Sequence, residues 1–120
     1  MKRYKTILLN YKEDIAWLFL NRPGKSNALD IEMIREIADA ITTINNDKFS
    51  RFIIINSKGK SFCSGADLNW MSDASYLSKE QNLSECMEMA ELYYTIYNSD
   101  KIIIISIPLY PSFKNTSGAI

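Results

Sequence analysis

Apolar and polar positions along the chain alternate between two periods, and the alternation predicts the elements. Tyr4–Asn10 and Ile15–Leu20 are short apolar runs of strand length. In the second, Ile15, Trp17 and Phe19 supply one face and Ala16, Leu18 and Leu20 the other, both apolar. Lys12-Glu13-Asp14 between them suits a hairpin turn, although it lacks the glycine that tight hairpins favour. Asn21–Asn27, with Pro23-Gly24 at its centre, predicts a loop. Asp30 then caps a helix from Ile31 to about Asn45. Ile31, Ile34, Ile37, Ala38, Ile41 and Ile44 share one face of it, and Glu32, Arg35, Glu36 and Asp39 the other.

Arg51–Asn56 is a third apolar strand, and Ser57–Lys60 leads from it into a turn of small residues. Ser72–Leu77 reads as irregular. Ser78-Lys79-Glu80-Gln81 is a capping-box pattern opening a helix to about Tyr97. Its wide apolar face (Leu83, Cys86, Met87, Met89, Ala90, Tyr93, Tyr94, Ile96) is expected to pack, and Glu80, Glu85, Glu88 and Glu91 to be solvated. Ile102–Ile107 is a continuous apolar run, as in a strand covered on both faces, and Pro108 and Pro111 end it. Strands alternating with helices predict an α/β layer structure, with parallel pairing and right-handed crossovers after the first hairpin.

Composition narrows the chemistry. The 120 residues suffice for one modest core, and the 47% apolar and 23% charged fractions are those of a globular protein. Net charge is zero, which gives no drive toward nucleic acid, and no apolar run approaches a membrane span. The basic N-terminus is interrupted too early for a signal peptide, so a cytoplasmic protein is expected. The chain has no histidine, which excludes Ser-His-Asp, Cys-His and His-ligated metal sites within it. Cys63 and Cys86 form no metal-ligand pattern and are expected to be buried thiols. The four glycines form no phosphate-cradling loop.

The turn Ser61–Met71 is where chemistry is sought. A strand feeding a small-residue turn and a helix leaves N–H groups without intrahelical partners, and such groups attract negative charge. The N–H of Ala66 is the candidate oxyanion donor. Taken alone, Ser64-Gly65 reads first as an ordinary strand-to-helix connection. Asp67 beside it reads first as a local cap.

The combination of motifs goes further. Leu18-Phe19-Leu20-Asn21-Arg22-Pro23 with Lys25 and Asn27-Ala28-Leu29, Arg51 before Ile53-Ile54-Ile55, and Gly59-Lys60-Ser61-Phe62-Cys63-Ser64-Gly65-Ala66-Asp67-Leu68 resemble the enoyl-CoA hydratase/isomerase (crotonase) superfamily in order and spacing. Ala66–Met71, with Tyr76, Ser78, Glu80, Asn82-Leu83 and Ala90-Glu91-Leu92, is similar to its methylglutaconyl-CoA hydratase branch, used in leucine breakdown, and to an isoprenoid-catabolic relative. The resemblance implies a crotonase-like β-β-α spiral fold and an acyl-CoA thioester as partner. Coenzyme A enters as part of that substrate; no separate cofactor or metal is implied. The position matched by Ala66 supplies the first of two N–H groups that bind the thioester oxygen as it becomes an enolate. One such donor lowers a barrier by about 3–4 kcal/mol in a studied hydrolase. The resemblance also places Lys25, Asn27 and Ala28 in a CoA-binding loop. Lys25 is directed to a CoA phosphate, backbone near Ala28 and Ala66 to the pantetheine, and Leu68 to the adenine, with Asp67 counted beside them among the CoA-binding residues.

The resemblance covers residues 4 to about 107 and stops there. The family follows this strand with a glycine-rich turn bearing the second donor, then two catalytic glutamates. Residues 108–120 carry one glycine in no matching register. Residues 1–107 therefore read as the N-terminal part of a crotonase-like domain and 108–120 as a non-matching tail. The expectation is a truncated hydratase, inactive alone, whose complete relatives form trimers or hexamers and which itself self-associates through its last strand. A non-catalytic module binding CoA or a partner protein is the alternative. RNA binding is a third, disfavoured because the first helix carries Asp30, Glu32, Glu36 and Asp39 against Arg35.

Overall fold

The computed structural model describes residues 3–65 and 67–107. Two strands, β1 (Ile7–Lys12) and β2 (Ile15–Leu20), precede α1 (Ile31–Asn45), β3 (Phe52–Ser57), α2 (Leu68–Asp73), α3 (Lys79–Tyr97) and β4 (Ile102–Ile105). The sheet order is β1-β2-β3-β4. The first pair is antiparallel, and β2/β3 and β3/β4 are parallel. This is the expected α/β class and pairing scheme.

One face of the sheet carries the core. Ile7, Ala16, Leu18, Leu20, Ile53 and Ile55 are buried against Met33, Ile34, Ile37, Ala40, Ile41 and Ile44 of α1, and α3 adds Leu92. Each isoleucine, leucine or methionine among them contributes about 1.5–3 kcal/mol of burial, and each alanine less. Met33 and Ala40 widen the stripe beyond the one expected, while Ile31 and Ala38 sit at its half-buried margin.

Several expectations are corrected. The first strand starts three residues late. The Lys5 and Thr6 N–H groups donate to the Glu36 carboxylate, and Tyr4 Oη donates to Asp39, so residues 4–6 run along α1, with only the Thr6 carbonyl, which accepts from Asn21 N–H, still facing the β2 side. The ladder then reaches Lys12↔Ile15, which leaves Glu13-Asp14 as the turn, with Glu13 left-handed at φ 56. Ser72–Leu77 is not irregular throughout: α2 covers its start, and a 3-10 turn follows at Ala74–Tyr76. The Ser78/Gln81 capping box is present as expected.

The apolar face of α3 is only partly packed within the described residues: Met89 and Ile96 pack against the core. Leu83, Met87, Tyr93 and Tyr94 are exposed, and so is Cys86, while Cys63 is half-buried. Likewise β4 is shorter than its apolar run, and Ile102, Ile104, Ile105 and Ile107 are exposed. Periodicity shows that a face is apolar; it does not show what covers it. Two of the glutamates expected to be solvated are engaged: Glu88 pairs with Arg35, and Glu85 accepts from Trp70 Nε1. Arg35 holds Glu88 below the usual carboxylate range. Among the described residues no helix is long and apolar enough to cross a membrane, and no His/Cys/Asp/Glu group is arranged to hold a metal. Ala66 and the tail 108–120, with Pro108 and Pro111, lie outside the described residues.

Candidate functional site

The site is built from two connections that leave the C-terminal ends of adjacent parallel strands. The first runs from β2 to α1 and the second from β3 to α2. Pro23–Lys25 forms a 3-10 turn, followed by two left-handed residues, Ser26 (φ 52) and Asn27 (φ 54). Asparagine tolerates this conformation better than most side chains. Here it also bonds the loop. Asn27 is fully buried; its Oδ1 accepts from Arg22 N–H, and its Nδ2 donates to the carbonyls of Lys58 and Ser61. The second connection turns at Gly59 and Gly65, with φ 87 and 100. A Cβ on Gly59 would lie 2.7 Å from Pro23 Cβ, so glycine lets the two connections touch.

Backbone hydrogen bonds lace the connections together. Ser64 N–H donates to Ser26 O, Leu29 N–H to Gly65 O, and Asp67 N–H to Leu29 O. The chain on both sides of position 66 is therefore tied to the first loop. Between the connections opens a groove of about 490 Å³, lined by Lys25, Ser26, Ala28, Ser64, Asp67, Leu68 and Asn69. Lys25 and Leu68 are exposed on its rim, and Ala28 is buried in its wall.

Asp67 is the cap expected of it. Its side chain accepts from the N–H groups of Asn69 and Trp70 and pairs with Arg22 at 3.0 Å. The Trp70 N–H first, and then the Arg22 guanidinium, hold its carboxyl below the usual range. The helix α2 has six residues, and a carboxylate already occupies its first donors, so it offers no anion site of its own.

Of the residues singled out from the sequence, Lys25, Ala28, Asp67 and Leu68 come together around the groove. Asn27 lies behind the wall with its amide consumed, so it shapes the loop and its side chain does not face a ligand. The Ala28 N–H is likewise taken, by Lys25 O, and its carbonyl accepts from Arg22 Nη1. Arg22 is a site residue that the sequence does not mark as one. A loop arginine next to proline reads as solvated, and only the fold brings Ala28, Asp30 and Asp67 to it.

A groove outside the carboxyl ends of neighbouring parallel strands is the ligand-binding arrangement of α/β proteins. The sequence profile of the enoyl-CoA hydratase/isomerase family matches residues 10–108, and the chain belongs to that family. It is 38% identical over 79 residues to a crotonyl-CoA hydratase of Syntrophomonas wolfei, an overlap of 65% of this chain and 30% of that one. It is 34% identical over 85 residues to a peroxisomal delta(3,5)-delta(2,4)-dienoyl-CoA isomerase of Arabidopsis thaliana, covering 68% of this chain and 31% of the relative. The crystal structure of an enoyl-CoA hydratase from Shewanella pealeana superposes with a TM-score of 0.85 at 28% identity, over 88% of this chain and 40% of that one. The chain thus spans well under half the length of these relatives.

Proposed function

We propose that this chain carries the first half of an acyl-CoA site, which binds the thioester substrate and stabilises its enolate. Lys25 meets a CoA phosphate as a point charge, the backbone near Ala28 and Ala66 holds the pantetheine, Leu68 borders the adenine, and the Ala66 N–H is one oxyanion donor. The parent reaction is hydration of an enoyl-CoA of the methylglutaconyl type, in leucine or isoprenoid catabolism in the cytoplasm. The chemistry needs a second donor, an acid and a base, and among the described residues no carboxylate around the groove fills those roles: Asp67 is spent on capping and on Arg22. These 120 residues on their own are therefore proposed to bind without turnover.

The observation that supports this most is the convergence of Lys25, Ala28, Asp67 and Leu68 on one groove, with the chain flanking position 66 strapped to Leu29. Calorimetry with acetyl-CoA on the purified chain tests it. Binding in the millimolar range or tighter is expected, together with no detectable hydration of crotonyl-CoA. No heat at millimolar ligand sinks the binding proposal, and turnover at a hydratase-like rate sinks the proposal of an incomplete site. A non-catalytic module predicts the same binding. It is separated by supplying the remaining two thirds of a relative in trans, which restores turnover only if this chain is half of an enzyme. RNA binding finds no support in α1, whose Arg35 is paired with Glu88.

A further inference from the structure

The guanidinium of Arg22 sits between the two groove walls. Nη1 donates to the carbonyl of Ala28 on the first wall, and Nη2 donates to Asp67 Oδ2 at 3.0 Å on the second. Nη1 also lies 3.4 Å from Asp30 Oδ2, the carboxylate that caps α1. The side chain is 16% exposed, so these contacts are shielded from water more than an ordinary surface pair. Its own backbone is fixed in turn: Asn27 Oδ1 accepts its N–H, and its carbonyl accepts from the N–H groups of Lys25 and Asn27. One planar fork thus spans both connections, and one positive charge stands between two carboxylates.

We propose that Arg22 is the positioning residue of the groove, setting the distance between its walls through the fork of its guanidinium and not through its charge alone. Its consequence for ligand binding rests on the acyl-CoA reading above; its effect on the walls does not. A guanidinium reaches a carbonyl and a carboxylate at once because its donors diverge in a fixed plane. An ammonium on a flexible stem supplies the same charge from a single point and satisfies one side at a time. Arg22→Lys therefore keeps the local charge balance and removes the span. Arg22→Gln removes both.

Hydrogen exchange and acetyl-CoA titration of the full chain separate these effects. In Arg22→Lys, exchange of the Asp67 and Leu29 amides is expected to quicken at least tenfold, with the Ile37 and Ile41 amides of α1 unchanged. Acetyl-CoA affinity is expected to fall about tenfold, as for one charge-assisted hydrogen bond lost at a site. A purely structural role would quicken α1 and groove amides together. If Arg22→Lys fails to fold, Asp67→Asn replaces it. Asparagine still caps α2 but cannot form the ion pair, and the same local quickening is expected. Unchanged exchange at Asp67 and Leu29 in the folded variant overturns the inference. Faster exchange with unchanged affinity overturns its link to ligand binding. If the wild-type chain binds no acetyl-CoA, the acyl-CoA reading fails on its own and the exchange arm still decides the role of Arg22.

Discussion

Replacing Asn27 by alanine is the most damaging single change the site predicts. The substitution removes three hydrogen bonds: one accepted from Arg22 N–H at 2.7 Å, and two donated to Lys58 O at 2.8 Å and Ser61 O at 2.7 Å. Each contributes about 1 kcal/mol net. Alanine must also hold φ 54, which costs about 1 kcal/mol more than asparagine there. The sum is about 4 kcal/mol, against a total of about 5–15 kcal/mol for a domain of this kind. With an m-value near 1.5 kcal/mol/M, the urea midpoint followed by circular dichroism falls by roughly 2.5 M. Two companions divide the loss. Asn27→Gly relieves the backbone and recovers about 1 kcal/mol relative to alanine. Asn27→Asp keeps the acceptor for Arg22 but turns an oxygen toward two carbonyls. Its charged form is disfavoured in the fold, so its stability declines as pH rises above about 4. A loss below about 1 kcal/mol for Asn27→Ala, or a glycine variant weaker than the alanine one, refutes the reasoning.

Acid sensitivity has the opposite sign for the native carboxylates. Asp67 and Glu88 are held below their unfolded values, by the Trp70 N–H with Arg22 and by Arg35, so their stabilisation is complete above about pH 5 and lost as pH falls through the lower folded values. Urea midpoints measured from pH 5 down to 2 should show this decline, flattened in Asp67→Asn; an identical slope in that variant would count against it. The Arg35–Glu88 pair is well formed but its arginine side chain is 59% exposed, so Arg35→Ala should cost at most about 1 kcal/mol in thermal or urea unfolding. The edge strand β4 exposes Ile102, Ile104 and Ile105, an invitation to pair with a second chain. Sedimentation should show concentration-dependent self-association that Ile104→Lys reduces, and a sharply melting wild-type monomer would contradict this.

What the sequence made legible was local. Asp30 and the Ser78/Gln81 box mark their helix starts because caps are read by residues a few positions away. The stripe from Ile34 to Ile44 marks the buried side of α1 because 3.6-residue periodicity is a property of the segment itself. Contacts between segments were less visible. Glu36 looks like a solvated helix carboxylate, yet it accepts two backbone N–H groups from residues some thirty positions earlier. Arg22 and Asn27 look like loop residues, and only the close approach of the two strand-to-helix connections gives them partners. The exposed faces of α3 and β4 show the same limit from the other side: amphipathicity records a demand for burial without naming what meets it.

The distribution of the core has a consequence for the order in which this protein takes shape. Apart from Leu92, every member of the buried apolar cluster lies between Ile7 and Ile55. A nascent chain that has emerged only as far as β3 already contains the hairpin, α1 and the strand that closes the layer. Its later elements add one buried member, Leu92, and half-buried side chains such as Phe62, Trp70, Met89, Ile96 and Ile103 that pack on the layer already formed. The first 57 residues therefore form the cooperative unit of highest stability, on which the remainder condenses and from which it detaches first. Limited proteolysis of the native chain should accordingly strip residues beyond the groove while leaving a resistant N-terminal fragment.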